Sequence, residues 1–136
     1  MKNSRIYTSL ITFILLIGLI GCSSIDSNTP GKKVIALYET LKNKDFEKTA
    51  SFYVKKDGEK LSESEAKKVE GLMGMAAGEF EKKGGLDNIT INEENISEDG
   101  TTAKVKFTIH YKNGDTKNES TNLIKVDNTW FFKISG

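Results

Sequence analysis

Residues 101–112, TTAKVKFTIHYK, are the strongest constraint on how this chain folds. Ala103, Val105, Phe107, Ile109 and Tyr111 alternate with Thr102, Lys104, Lys106, Thr108, His110 and Lys112. In an extended strand successive side chains point to opposite faces, so the segment has one apolar and one polar face. A strand of this kind belongs to an antiparallel sheet that is packed on one side and wet on the other. Turn signals bracket it, Asp99-Gly100 before and Asn113-Gly114 after. NITINEENI, with Ile89 and Ile91 alternating, precedes it. A returning strand runs to Val126, Asp127-Asn128 turns the chain again, and TWFFKI closes the sheet. About four strands are expected after Leu86.

Before Leu86 the periodicity changes from two to that of a helix. Pro30-Gly31 opens a first helix in which Val34, Leu37, Tyr38 and Leu41 fall at i, i+3, i+4 and i+7, and which ends near Asn43. Phe46, Ala50 and Tyr53 share helical spacing, predicting a second short helix, and Asp57-Gly58 breaks the chain. Ser62 and Glu65 have the spacing of a capping box. Ala66, Val69, Met73, Ala76 and Phe80 then form the buried stripe of a longer helix, with Leu72 beside it. Gly71, Gly74 and Gly78 lie opposite, a weak exposed face rather than a close-approach surface. Gly84-Gly85 ends this helix. Helices first and strands second predict an α+β domain with helices packed on one face of an antiparallel sheet.

The N-terminus reads differently. Lys2 and Arg5 precede an apolar run, Ile6 to Ile20, of roughly 15 residues, short of the about 20 that a membrane span needs. It ends in Leu19-Ile20-Gly21-Cys22, which resembles the bacterial lipobox: two aliphatic residues, a small residue, then cysteine. That resemblance implies cleavage between Gly21 and Cys22 and lipid attachment at the Cys22 sulfur. Cys22 is the chain's only cysteine, and a thioether there removes a thiol that an oxidising compartment would attack. The expected organisation is a lipoprotein signal peptide over 1–21, a polar lipidated tether over 22–30, and one α+β domain over 31–136. Two acyl chains, at about 0.8 kcal/mol per buried methylene, hold such a protein on a membrane of the cell envelope, facing outside the cytoplasm.

Composition narrows the chemistry. Loss of residues 1–21 leaves 115, enough for one domain, with 18 basic residues against 19 acidic ones. That balance gives no reason to expect nucleic acid as a partner. With Cys22 lipidated and His110 the only histidine, no disulfide, thiolate metal site or His-pair metal motif can be built, and no cofactor is expected.

VIALYETLKNKDFEKTASFY, an aliphatic-aromatic helix running into a Lys-Asp-Phe-Glu-Lys junction, resembles the opening of nuclear transport factor 2-like domains. GGLDNITINEENISEDGTTAKVKFTIHYKNGD and the closing Trp130 hairpin resemble one branch of them, the small bacterial lipoproteins of the domain-of-unknown-function 4878 family. The resemblance covers residues 30–134. It implies a curved sheet cupping helices, a cone with room for a pocket, sheet-to-sheet dimers and no known activity. One departure is Asn128, where a glycine is expected in the last turn.

The hairpin at Asn113-Gly114 decides what faces the cone. A two-residue turn opposes Ile109, Phe107 and Val105 with Asn118, Ser120 and Asn122. One extra turn residue brings Glu119, Thr121 and Leu123 there instead. The second register unites Leu123 with Trp130 and Phe132 and is preferred. It leaves Glu119 as the one candidate acid near the inner face. It also opposes Ile124 and Phe131 on the outer face, with Val126 nearby, either a candidate partner surface or a patch that the N-terminal tether or a loop covers. His110 falls on the polar face, Glu39 opposite the Val34 stripe, and Glu79 at a stripe boundary, so none is a candidate catalyst. Lys104, Lys106 and Lys112 read as a solvated strand face rather than a contact to anionic headgroups. The sequons at Asn88, Asn95 and Asn118 are chance matches in an Asn- and Thr-rich chain.

The expected function is a membrane-anchored lipoprotein whose non-catalytic domain binds a small ligand or another envelope protein. Alternatives are a hydrolase- or isomerase-like enzyme using the cone, and a structural homodimer. A polar cavity with a sheltered carboxylate would favour the enzyme; a filled cone would favour the binding module.

Overall fold

The computed structural model describes residues 28–134. Three helices, α1 (Pro30–Lys42), α2 (Phe46–Ala50) and α3 (Glu63–Glu81), pack with five strands: β1 (Tyr53–Val54), β2 (Leu86–Ile96), β3 (Thr102–Tyr111), β4 (Thr116–Val126) and β5 (Thr129–Lys133). The strands form one sheet in the order β1-β5-β4-β3-β2. The α+β class and the order of elements are as the sequence predicts. The sheet has five strands rather than about four, and it is mixed, because β1 runs parallel to β5 with Tyr53 opposite Phe132. The expected second helix is correspondingly shorter. It stops at Ala50, and Tyr53 leaves helical geometry to stack its ring on Phe132, centroids 5.4 Å apart.

Each helix is bounded by local chemistry. Thr29 caps α1 by accepting a hydrogen bond from the Lys32 amide at 3.2 Å, with Pro30 in the first turn where its missing N–H is harmless. The Gly31 amide donates to the Glu94 carboxylate, so β2 supplies a negative charge to the positive end of α1. That approach leaves no room for a side chain: a Cβ on Gly31 would collide with Glu94 and meet Ile91. At the other end the Asp45 amide reaches back to the Thr40 carbonyl (2.9 Å) and the Lys44 amide to that of Leu41 (3.1 Å). This Schellman closure puts Lys44 at φ 58°, a conformation that suits glycine. Lys44→Gly is therefore expected to stabilise the fold by about 0.5–1 kcal/mol in urea unfolding. The exposed Lys44–Glu81 ion pair it removes is worth little. The capping box of α3 forms as predicted, Ser62 and Glu65 exchanging bonds with each other's backbone amides.

The β3–β4 hairpin settles the register. The Gly114 amide donates to Tyr111 and the Tyr111 amide to Asp115, so the loop carries one residue more than a two-residue turn. Val105, Phe107 and Ala103 consequently oppose Thr121, Glu119 and Leu123, the preferred register. The β4–β5 turn forms without the expected glycine: Asp127 and Asn128 take φ 48° and 63°, which short polar side chains tolerate. The β2–β3 turn is gathered by Asp99, whose carboxylate accepts from Ser97 Oγ and from the Thr101 amide and hydroxyl. Those bonds hold its pKa at about 2. Their support is complete above the ordinary aspartate range and is lost as pH falls towards 2.

The core lies between the helices and the inner face of the sheet. It joins Val34, Leu37 and Leu41 of α1 to Val105, Phe107 and Ile109 of β3, Leu123 of β4, and Trp130 and Phe132 of β5. On α3 the buried positions are Val69 and Ala77, while Ala76 is only half-buried, so the stripe is turned slightly from the expected one. The helix packs against both α2 and α1, and Ala77 lines the same opening as Leu41 of α1 and Leu86 of β2. Gly74 faces Phe46, whereas nothing stands over Gly71 or Gly78.

Candidate functional site

The inner face of the sheet is filled rather than hollow. Tyr38 of α1 lies between Phe80 of α3 and Phe107 of β3, with ring centroids 5.9 and 5.5 Å away, and Phe80 continues to Tyr111 at 6.0 Å. Burial and the nearby Glu119 charge push the Tyr38 hydroxyl far above its ordinary pKa, so it stays protonated. Glu119 faces this side, as the register requires, but at the rim. Its side chain is 35 % exposed and its carboxylate sits 2.5 Å from Lys117 Nζ. A carboxylate held there is an ion-pair partner in contact with water, poorly placed to act as a sheltered base.

A mainly apolar opening lies elsewhere, where α2, the start of α3 and the β1–β5 edge meet. This groove has a volume of about 550 Å³. Ala50, Tyr53, Val54, Leu61, Ala66 and Phe131 form its apolar surface, and Glu47, Glu63, Glu70, Lys60 and Lys67 stand around it. Its walls are built locally. α2 ends early enough to release Tyr53 and Val54 into β1, and residues 54–60 fold back on themselves through the Lys55–Glu59 backbone bond and the Val54–Lys60 bridge. Lys55 lies 3.8 Å from Glu59 and 3.7 Å from Glu65, which ties this loop to α3. The Tyr53 hydroxyl points inward to the Met73 sulfur at 3.9 Å, and burial raises its pKa. Lys67 is neutralised by Glu70 at 3.0 Å.

Phe131 connects this groove to the partner surface expected from the sequence. Ile124 and Phe131 are opposed on the outer face, and Val126 pairs with Thr129. The three are half-buried rather than bare. Gly58, at φ 89°, sits over the aliphatic pair: a Cβ there would be 3.1 Å from Val126 and 3.6 Å from Ile124. Lys33 extends from α1 to within 4.9 Å of the Phe52 ring centroid and 5.9 Å of that of Phe131, and burial lowers its pKa. What remains open of this patch is the side of Phe131 that lines the groove.

The remaining expected residues are dispersed. Cys22 and Gly21 lie outside the described residues. His110 is on the outer face, its Nε2 2.9 Å from Thr90 Oγ1. Lys106 pairs with Glu93 at 2.8 Å, and Lys112 lies along Gly84 and Gly85. Lys104 makes no ion pair of that kind. No group of three or more potential metal ligands occurs among the described residues, and no helix among them is long and apolar enough to cross a membrane. Sequence reasoning missed the groove because its floor needs β1, and a two-residue strand is too short to show a period. The signal that was present is Phe52-Tyr53-Val54, an aromatic and β-branched run placed after the polar Lys48-Thr49 pair.

Comparison with known proteins agrees with this architecture. No curated protein matches the chain. A candidate nuclear transport factor 2-like transpeptidase from Campylobacter jejuni, known from its crystal structure, superposes with a TM-score of 0.65 at 19% identity. The match covers 79% of this chain and 99% of that one, and it establishes the fold. Aln2 from a Streptomyces species is more distant, with a TM-score of 0.44 at 17% identity over 75% of this chain and 81% of that one. A family model, the domain of unknown function DUF4878, matches residues 22–133, which begins at the lone cysteine and runs through the last strand. By that match, which spans both the helical layer and the whole sheet, the chain belongs to the DUF4878 family, and its fold is nuclear transport factor 2-like.

Proposed function

We propose that this protein is a lipid-anchored component of the bacterial cell envelope whose domain is a non-catalytic binding module, and that the groove beside Phe131 is its binding site. The observation that carries the reading is the contrast between two surfaces. The cone is packed with aromatic side chains, whereas an apolar concavity large enough for a small ligand or an aliphatic or aromatic side chain opens outside it. Charges of both signs around an apolar floor suit a ligand with an apolar body and a zwitterionic or amide-bearing edge. Cys22 provides the mooring, and the residues between it and the Thr29 cap of α1 provide the tether.

The enzyme reading has less support, because the acid nearest the cone, Glu119, is engaged by Lys117 at the rim. A homodimer through Ile124, Val126 and Phe131 has less support as well, because the loop carrying Gly58 occupies that face. The binding reading is tested with the neutral apolar dye N-phenyl-naphthylamine. The folded protein is expected to enhance its fluorescence saturably, and Phe131→Ser to weaken binding about tenfold, roughly 1.4 kcal/mol, while the exposed Leu72→Ser leaves it unchanged. Equal affinity in all three proteins would refute the groove as the site.

A further inference from the structure

A second concavity lies on the outer face of the sheet, and the packing of the fold makes no use of it. Its volume is about 870 Å³, and Lys56, Lys104 and Lys133 all line it together with Asn95 and Asn122. The register explains the arrangement. Asn95 is opposite Lys104, and Lys104 is opposite Asn122. The Leu123–Phe132 pair then sets Asn122 beside Lys133, and the Val54–Lys133 pair brings Lys56, two residues on, to the same edge. A single transverse row thus reads Asn, Lys, Asn, Lys across β2, β3, β4 and β5. With strands about 4.8 Å apart, the stems of Lys104 and Lys133 stand roughly 10 Å apart.

Among the described residues, ion pairs form at Lys44, Lys55, Lys67, Lys82, Lys83, Lys106 and Lys117. Lys56, Lys104 and Lys133 have none. Other lysines, Lys68 and Lys112 among them, also lack an ion pair; what marks these three is that they share one concavity whose lining holds no acid. Glu93, on the row's flank, also acts electrostatically with Lys104, but its carboxylate is held by Lys106 at 2.8 Å and by the Asn95 amide at 2.6 Å. Asn95 keeps its second amide hydrogen for another acceptor. We propose that this trough binds a polyphosphate-type anion, with Lys104 and Lys133 as its two cationic contacts and the intervening amides as neutral donors.

The chemistry selects phosphate over carboxylate. Lysine meets an anion as a point charge with freely rotating donors, which suits a tetrahedral group with several oxygens. Planar carboxylates are matched best by the arginine fork, and the described residues contain no arginine. A spacing of roughly 10 Å calls for charge repeated along the ligand rather than one isolated group. The flat surface of an anionic membrane fits less well. Glu98, Asp99 and Asp127 occupy the two turns at this end of the sheet and would be repelled by such a surface.

The proposal rests on the lysine row alone and is independent of both the apolar groove and the lipid anchor. It is tested by calorimetric titration of the full chain, in neutral detergent at low ionic strength, with sodium tripolyphosphate. Wild type is expected to bind with a dissociation constant of about 1 mM or below. The Lys104→Gln/Lys133→Gln double variant should lose at least tenfold. The Lys68→Gln/Lys112→Gln double variant, which changes net charge equally, should stay within twofold. Absence of wild-type binding, or equal loss in both double variants, overturns the proposal. So does glycerol phosphate binding as tightly as tripolyphosphate, which would mark a single lipid-headgroup phosphate as sufficient.

Discussion

Replacing Trp130 by alanine is expected to lower the stability of the domain by about 3–5 kcal/mol, the cost of removing the largest side chain from a well-packed interior. Trp130 is 2 % exposed and is the chain's only tryptophan. It sits on β5 among Leu123, Val105 and Phe132, where the central strands meet α1, and Lys125 lies over its ring at 5.4 Å. The β-strands around it are locked by a continuous ladder, so they cannot collapse into the space it would leave. Domains of this size are stable by about 5–15 kcal/mol, so the loss is about a fifth of the total or more. The melting temperature should fall by about 10–20 °C. Urea unfolding followed by circular dichroism reads this directly: the midpoint drops while the slope stays the same. Trp130→Phe, which keeps most of the volume, should cost less than half as much. A loss under about 1 kcal/mol for Trp130→Ala would mean that the core is not organised around β5.

The sheet was the most legible part of the molecule, and the reasons are physical. An alternation of five apolar positions admits one strand register against the core, and a one-residue slip would have exposed Phe107 and Ile109. The same logic selected the longer hairpin, because only that register buries Leu123 with Trp130 and Phe132. The capping box and the α1 stripe were visible because they are local patterns. The features that escaped are those fixed by distant partners. β1 is two residues long and exists because β5 offers it an edge. The Gly31–Glu94 contact joins residues 63 apart. The rotation of α3 buries Ala77, which lines the same opening as Leu41 of α1 and Leu86 of β2, partners that its own periodicity does not reveal. The groove inherits this illegibility, since β1 forms part of its floor. Phe131 was identified from its place on the outer face, where the register puts it opposite Ile124, but which loop covers Ile124 and Val126 has no signature beyond Asp57-Gly58.

Substituting Cys22 by serine is expected to abolish lipid attachment completely. An oxygen at that position does not form the thioether, and in the lipoprotein pathway that step precedes cleavage, so Cys22→Ser should also retain residues 1–21. In cells fed labelled palmitate, wild type should carry the label and the variant none. The domain itself should be unaffected: residues 28–134 hold their own core and caps, and the unfolding midpoint of the variant should match wild type within error. Label on the serine variant would place the acyl chains on another residue and remove the basis for the tether.

The intact mass of the protein purified from the membranes of its own host tests the central claim most directly. The account predicts a chain that begins at Cys22 and is heavier than residues 22–136 by a diacylglyceryl group, with or without a further acyl chain. A mass corresponding to residues 1–136, or to a chain starting at an unmodified Cys22, would contradict it.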